Sequence, residues 1–447
     1  MLPVEIRTID LRGKALTKSE YQKKLPRAVL DVASATAAIA PILDRVSKAT
    51  ESDLIQLGKE FDGIAPISIR VPKDVIASAL GELNPKVKLA LEEAIKRVRK
   101  VHADQLRTEK TTVVVDGGEV THKWIPVDRV GLYVPGGNAV YPSSVIMNVV
   151  PAQIAKVPSI AIASPPQKNN NGYPNKTILA TCALLGIDEV YAIGGAQAIA
   201  MFAYGVEGVC PSVDLVTGPG NIYVAAAKRA LRGKIAIDSE AGPTEVAVLA
   251  DESAIASEVA ADLISQAEHD VIAAAVLVTP STELAAEVSR ELTKLVSATK
   301  HSERIRTALS GEQSAIVLVS DIAQGIDVVN AYAAEHLELQ VKDLANVSAQ
   351  IRNAGAVFLG RFSPVSLGDY SAGSNHVLPT GGCACHSSGL SVQTFLKGVS
   401  FISYNQKAFS EIAENVILLA NSEDLPAHGE AMAVRLSNLK EPGNGTK

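Results

Sequence analysis

The sequence predicts an α/β protein built on parallel sheets, and three observations carry that expectation. From about residue 130, short apolar runs alternate with helical ones. The apolar mass is Ala, Val, Ile and Leu, with aromatic residues at only 4%. Glycine turns follow three of the expected strands. Alternating strands and helices imply a sheet wound with helices on both faces, and strands buried on both faces are apolar throughout.

Up to about residue 30 the chain reads as polar and extended, with no clean period. Residues 30–110 read as helices: apolar positions recur at helical spacing through Val29–Ile42 and Val87–Val98, with Pro72 and Pro85 as punctuation. Thr111–Val115 and Thr121–Val127 make an expected hairpin around Asp116-Gly117-Gly118. Strands are then expected at Val130–Val134, Ser159–Ala163, Glu189–Ile193, Val213–Val216 and Ile235–Asp238, with helices Val145–Lys156, Thr177–Leu185 and Tyr223–Leu231 between them. A second unit of the same kind follows. It runs through helix Ser253–Glu268, strand Val271–Val278, helix Thr282–Ala298, strand Ala315–Val319, helix Ile326–Glu335 and strand Ala356–Leu359. Past residue 380 the pattern is mixed, and Glu441–Lys447 reads as a frayed tail.

With 447 residues the chain is long enough for two or three domains, each able to bury a core without disulfide or metal staples. Its 42 basic and 48 acidic residues leave a net charge of −6, which argues against a general nucleic-acid binder. Charged residues at 20% and hydrophobic ones at 47% exclude a mainly disordered chain. The charged N-terminus lacks the apolar stretch of a signal peptide. The longest uncharged run, Val190 to Val206, is short for a membrane span and contains Gly194, Gly195 and Gln197. A soluble, cytoplasmic protein that does not enter membranes is the expectation. Four cysteines in so long a chain do not form a disulfide framework.

The glycine turns are Pro135-Gly136-Gly137-Asn138, Gly194-Gly195-Ala196-Gln197 and Gly218-Pro219-Gly220-Asn221. Each leads towards a helix N-terminus, where bare backbone amides favour phosphate, and ligands of parallel sheets bind beyond the carboxyl ends of strands. None has the G-x-G-x-x-G spacing, and taken singly each also reads as an ordinary strand–helix turn. Three in one sheet point to a nucleotide site.

Gln266 and His269 are three apart at the end of an amphipathic helix, so they share a face. Gly368-Asp369-Tyr370 and Asp424-Leu425-Pro426-Ala427-His428 offer further donors, but no local spacing unites them, and Gln is an uncommon zinc ligand. Each His also reads as a hydrogen-bonded structural residue. Glu335-His336 stands where an expected helix gives way to a strand, and could put a base and an acid in one pocket. Neighbours on a helix do not share a face, so a solvated Glu beside a capping His competes. Cys383-Ala384-Cys385-His386 lacks the second half of a zinc module and any sign of an activated thiolate, and reads as structural.

Taken together the fragments resemble the histidinol dehydrogenase family. The matching pieces are GLYVPGG (131–137), YPSSVIMNVVPA (141–152), GGAQAIA (194–200), VTGPGN (216–221), AGPTEV (241–246), QAEHD (266–270), AEHLEL (334–339), GAVFLG (355–360), GDYSAGSNHVLPT (368–380) and GLSVQTF (389–395), in order across most of the chain. The resemblance implies oxidation of L-histidinol to L-histidine through L-histidinal, the last steps of histidine biosynthesis, with two NAD reduced in succession and one zinc ion per active site. It implies zinc on Gln266, His269, Asp369 and His428, a catalytic pair of Glu335 and His336, and NAD contacts from Tyr133, Gln197 and Asn221. Substrate contacts would come from Thr244 and Glu423, with His336 and the zinc ligands. Thr244 stands where Ser is common, and the CACH segment is not a functional motif of the family.

The resemblance also implies a homodimer in which the carboxyl-terminal segment carrying Glu423 and His428 completes the partner's site. The fold it implies is two incomplete Rossmann-like parallel-sheet domains, one inserted in the other, with small N- and C-terminal extensions. The expected divisions are residues 1–29, then 30–133 with 244–380, then 134–243 inserted as the NAD-binding unit, and 381–447. A relative that oxidises another small diol or amino alcohol, and a non-enzymatic nucleotide- or metal-binding protein, are the competing readings.

Overall fold

The Ala-, Val-, Ile- and Leu-rich runs form two parallel sheets, as their lack of alternation requires. A computed structural model describes residues 4–28, 31–136, 140–239 and 242–440. Val29 of the first expected helix, Gly137 and Asn138 of the first glycine turn, Ala241 of AGPTEV and the tail Glu441–Lys447 lie outside the described residues. The chain divides into two compact units, Met1–Leu106 with Val127–Phe395, and Arg107–Pro126 with Leu396–Lys447.

In the larger unit the chain enters a six-stranded sheet at Arg7–Asp10, builds a whole five-stranded sheet, and returns at Glu245–Ala250. The five-stranded sheet runs Val190–Ala192, Ser159–Ser164, Arg129–Tyr133, Leu215–Thr217, Ala236–Ile237 across its width. Numbered along the chain, that order is 3-2-1-4-5. The six-stranded sheet places Arg7–Asp10 beside Ala315–Leu318, Ala274–Thr279, Glu245–Ala250, His336–Gln340 and Ala356–Leu359. After its added edge strand the order is again 3-2-1-4-5, the Rossmann order without a sixth strand. The expectation of two incomplete Rossmann-like sheets, one within the other along the chain, is met.

Helices cover both faces of the six-stranded sheet. Val259, Leu263, Val288, Leu292 and Ile305 pack on one face, and Tyr21, Ile326, Val329 and Tyr332 on the other. Beside the five-stranded sheet, the helices Val32–Val46 and Glu51–Phe61 insert Ile39, Leu43, Val46, Leu54 and Leu57 among Tyr191, Ile199 and Phe202.

Several elements differ from expectation. Glu245–Ala250, buried along its whole length at the centre of its sheet, is not picked out by the apolar periodicity. Its short run follows Pro243 and stops at Asp251, so it offers neither alternation nor length. The expected helix Ile326–Glu335 spans Ile322–Tyr332 instead, because Ala333 takes a left-handed conformation with φ +51°. Glu335 therefore lies beyond the helix, one residue before the strand His336–Gln340. The polar N-terminal stretch supplies the edge strand Arg7–Asp10, which needs little apolar surface because it is mostly exposed.

The smaller unit is an antiparallel sheet ordered Leu396–Tyr404, Gly118–Pro126, Lys110–Val115, followed by the helices Gln406–Ser422 and Pro426–Lys440. The hairpin turns at Gly117, φ +81°, as its Asp-Gly-Gly signal requires. The long strand Leu396–Tyr404 was not expected. Within this unit Val113, Val114, Val399, Phe401, Ile402, Leu418 and Leu419 are exposed, Ile402 at 73%. Among the described residues no helix is long and apolar enough to cross a membrane.

One buried ion pair shapes the carboxyl end of the five-stranded sheet. Lys228 Nζ donates to Asp238 Oδ1 at 2.6 Å and to the Gly218 carbonyl, while Asp238 Oδ2 accepts from the Gly218 amide at 2.8 Å. Both side chains are almost wholly buried. Lys228→Met strands a buried carboxylate, so it should destabilise the protein by about 3–5 kcal/mol, read from the urea midpoint.

Candidate active site

The candidate residues gather where strands of the six-stranded sheet begin. Thr244 immediately precedes Glu245–Ala250, and Glu335 immediately precedes the neighbouring strand, whose first residue is His336. The helix Ala256–Ala267 delivers Gln266 in its last turn and His269 just beyond it. Asp369 comes from the short helix Val365–Tyr370.

Glu335 Oε2 accepts from the Thr244 hydroxyl at 2.6 Å and from the Glu245 amide at 2.9 Å. Thr244 Oγ1 accepts in turn from Gln266 Nε2. His336 Nδ1 faces the Glu245 carbonyl at 3.2 Å and Glu335 Oε2 at 3.6 Å, and its Nε2 lies 3.6 Å from Asp369 Oδ1. His269 Nε2 lies 4.0 Å from Asp369 Oδ2. Six expected site residues, remote in sequence, thus share one pocket. Two buried polar atoms in it, Gln266 Oε1 and His336 Nε2, lack a hydrogen-bond partner.

Burial sets the charge states, with neighbours opposing it. Burial alone would push His336 down, but the carboxylates of Glu335 and Asp369 outweigh it and hold the imidazole up at about 9. Burial pushes Glu335 up, against the pull of His336, Thr244 and the Glu245 amide. His269 is lowered by burial, only partly offset by Asp369. Asp369 is buried too, yet the imidazole of His336, 3.6 Å away, outweighs burial and brings it below the ordinary carboxylate range.

Tyr133, Gln197 and Asn221 stand at the carboxyl ends of the five-stranded sheet. Tyr133 ends its first strand, and its hydroxyl accepts from the Gly195 amide at 3.1 Å. Gln197 is buried in the first turn of the helix Gly195–Tyr204. Asn221 caps the helix Ile222–Leu231, accepting from Tyr223 and Val224. The candidate residues thus stand at opposite ends of the two sheets. At the carboxyl ends of the six-stranded sheet Asp251 takes the amides of Ser253 and Lys342 at 2.9 and 2.8 Å, so a carboxylate stands in the crevice where a Rossmann sheet would present those amides to a ligand.

Glu423 and His428 belong to the smaller unit, where both are exposed. Glu423 caps the end of Gln406–Ser422, and His428 lies in the first turn of Pro426–Lys440. Among the described residues no group of three His, Cys, Asp or Glu gathers to hold a metal. His269 and Asp369 supply two such donors, and Gln266 an amide oxygen. Cys383–Cys385 is a single 3-10 turn with Cys385 exposed.

Several residues here carry no sequence signal. His376 Nδ1 meets the Asp369 carbonyl at 2.8 Å and its Nε2 meets Ser144 Oγ at 3.1 Å, so it braces Asp369 from behind. Glu338, two residues beyond His336 on the same strand face, accepts from the Val365 amide at 2.8 Å through Oε1. Its Oε2 is buried without a hydrogen-bond partner, and the charge of Asp262, on the helix that carries Gln266, raises it further. Two buried neighbouring carboxyls, both raised, favour one proton between them over two bare charges.

A buried acid–base pair at one Rossmann-like sheet, with glycine turns at the carboxyl ends of another, defines an α/β oxidoreductase. A family model described as histidinol dehydrogenase matches residues 25–436. Histidinol dehydrogenases from Thermobifida fusca and Nocardia farcinica are 62% and 57% identical to the chain, covering 96% and 98% of it and 98% and 99% of their own lengths. The crystal structure of histidinol dehydrogenase from Elizabethkingia anophelis matches with a TM-score of 0.89 at 33% identity, covering 98% of this chain and 99% of that one. The chain belongs to the histidinol dehydrogenase family.

The shared proton has a measurable consequence. Burial raises both Glu338 and Asp262; the charge of Asp262 raises Glu338 further, while Glu338 pulls Asp262 back only in part. The folded pair therefore binds a proton that the unfolded chain releases, and its stabilisation is full in acid and fades as pH rises above the ordinary carboxylate range. Glu338→Gln keeps a donor without the titration. Urea unfolding across pH 4 to 9 should show the variant gaining on the parent protein as pH rises; a constant difference would refute the shared proton.

Proposed function

We propose that the chain is a cytoplasmic, homodimeric, zinc-dependent enzyme that oxidises L-histidinol to L-histidine through L-histidinal, reducing two NAD in the last steps of histidine biosynthesis. Beyond family membership, one constellation carries the reading: Glu335 and His336 buried side by side, facing Asp369, His269 and Gln266, with unpartnered atoms aimed into the pocket.

The residues fit both groups. Gln266 Oε1 is a buried oxygen without a donor, and His269 Nε2 and Asp369 Oδ2, facing each other in the same pocket, add a nitrogen and an oxygen of the kinds zinc takes. Gln266, His269 and Asp369 would hold the ion, with His428 of a second chain. Gly218 has φ +113°, and a Cβ there would lie 2.0 Å from the Tyr133 carbonyl oxygen, so the turn must stay bare where a dinucleotide passes Tyr133, Gln197 and Asn221. When bound, NAD supplies the hydride acceptor and zinc a charge that orients the nitrogens of histidinol.

Thr244 and the partner chain's copy of Glu423 would fix the substrate's polar ends. His336 takes the alcohol proton at Nε2, its Nδ1 being turned to the Glu245 carbonyl. Asp369, once its charge is spent on a cation, no longer helps hold His336 protonated. The aldehyde must gain a water oxygen before a second hydride can leave. Glu335, raised by burial and pointed by Thr244 and Glu245, takes that water's proton. His336 then accepts the proton of the hydrate.

The primary test is NADH absorbance after mixing the protein with histidinol and NAD, before and after chelation. Turnover should need the metal, while the fold survives its removal. Glu335→Gln should slow oxidation of histidinal far more than that of histidinol, by about 10²–10⁴, the usual cost of a lost general base. His336→Asn should slow both. Equal losses on both substrates in Glu335→Gln would remove Glu335 from water activation.

The shared-site dimer draws support from the apolar residues exposed on the smaller unit, which a partner surface would bury. Mixed dimers of Glu335→Gln and His428→Ala chains should regain activity, because one of their two sites draws both intact residues. Verified heterodimers with no recovery would refute it.

A further inference from the structure

A Rossmann unit that binds NAD presents an acidic residue near the end of its second strand, where the carboxylate accepts from the ribose 2′-hydroxyl. The second strand of the five-stranded sheet, Ser159–Ser164, runs into Pro165 and Pro166, and no Asp or Glu occurs from residue 129 to residue 187. The inserted unit cannot supply the carboxylate from its own nearby chain. A residue from outside stands in that place. Asp62 closes the helix Glu51–Phe61, and a Cβ built on Gly194 would lie 2.8 Å from Pro165 Cγ and 2.9 Å from Asp62 Oδ1. The carboxylate, the proline after the second strand and the second glycine turn therefore meet at one point. Gly194 must be bare for them to do so.

We infer that Asp62 is the carboxylate that accepts from the adenosine ribose hydroxyls and selects NAD over NADP, an inference that rests on the NAD reading above. Asp62 Oδ2 accepts from Gln197 Nε2 at a long 3.4 Å, and the Gly194 amide is its other donor. An ionised carboxylate offers about four acceptor positions, so two stay open for hydroxyls. Burial with so few donors pushes Asp62 up to about 6, and ligand hydroxyls relieve that cost. Asp62 also stands at the start of the helix Gly195–Tyr204, where phosphate would otherwise be favoured. A 2′-phosphate there meets a negative charge. Lys168 is the nearby cation, its Nζ 3.8 Å from a Cβ placed on Gly63, so removing the carboxylate leaves a site that tolerates phosphate.

The test reads binding, not turnover. Fluorescence titration should give the parent protein a Kd for NADPH, and for 2′-deoxy-NADH, about ten- to a hundredfold weaker than for NADH, the worth of a hydrogen bond to a charged group. In Asp62→Ser and Asp62→Asn the gap between NADH and NADPH should close by about tenfold or more. If 2′-deoxy-NADH binds as tightly as NADH to the parent protein, the inference fails whether or not the variants fold. If Asn221→Ala weakens NADH binding while the Asp62 variants leave both affinities unchanged, this inference falls alone. If the parent protein binds no NADH, the cofactor reading falls and takes this one with it.

Discussion

Both members of the buried acid–base pair hang on one peptide. The Glu245 amide donates to Glu335 Oε2, and the Glu245 carbonyl receives His336 Nδ1. Because Glu245–Ala250 and His336–Gln340 are neighbouring parallel strands, sheet register fixes how the pair meets that peptide. The side chain of Glu245 anchors it from below. Burial pushes this carboxyl up to about 7 against the pull of Arg27, whose guanidinium bonds both its oxygens and lies 4.4 Å from the Tyr332 ring centre. The N-terminal segment thus reaches beneath the strands that carry Thr244 and the Glu335–His336 pair, and the placing of that pair rests in part on the Arg27–Glu245 ion pair.

The same strand order appears twice and serves two purposes. At the five-stranded sheet, glycine leaves the carboxyl ends bare, and Lys228 and Asp238 tie the Gly218 turn from the inside. At the six-stranded sheet Asp251 already takes the amides in the corresponding crevice, and the Glu335–His336 pair stands at the other end. Parallel strands buried on both faces make this possible, since either end can be elaborated without disturbing the core.

The architecture was legible because most of its strands are short apolar runs between helical ones. The central strand Glu245–Ala250 was not, because its six residues, held between Pro243-Thr244 and Asp251, carry no period. Gln266 and His269 could be joined by helical spacing, but only tertiary structure brings in Asp369, Thr244 and the Glu335–His336 pair. The left-handed Ala333 was hidden as well. Alanine is a good helix former, and only the fold around it enforces the break that carries Glu335 into the pocket. Family resemblance named residues that local pattern could not unite. Neither route reached Asp62, whose partner Gln197 is 135 residues away, nor Glu338 with Asp262, whose burial no periodicity reveals.

Hydrogen-bond direction then fixes the one ligand candidate whose chemistry is ambiguous. Glu335 Oε2 accepts from a backbone amide, so it also accepts from Thr244, whose hydroxyl proton is spent there. Thr244 can only accept from Gln266, which must turn its nitrogen towards it. The amide oxygen is forced the other way, buried and without a donor. A serine at 244 would preserve this sequence of donors, and a valine would break it in the middle. Gln266 would then have no reason to hold its oxygen in the pocket, and Glu335 would lose one of its two fixed donors. The hydroxyl of Thr244 is therefore the joint between the residues that would bind a metal and the residue that would activate water.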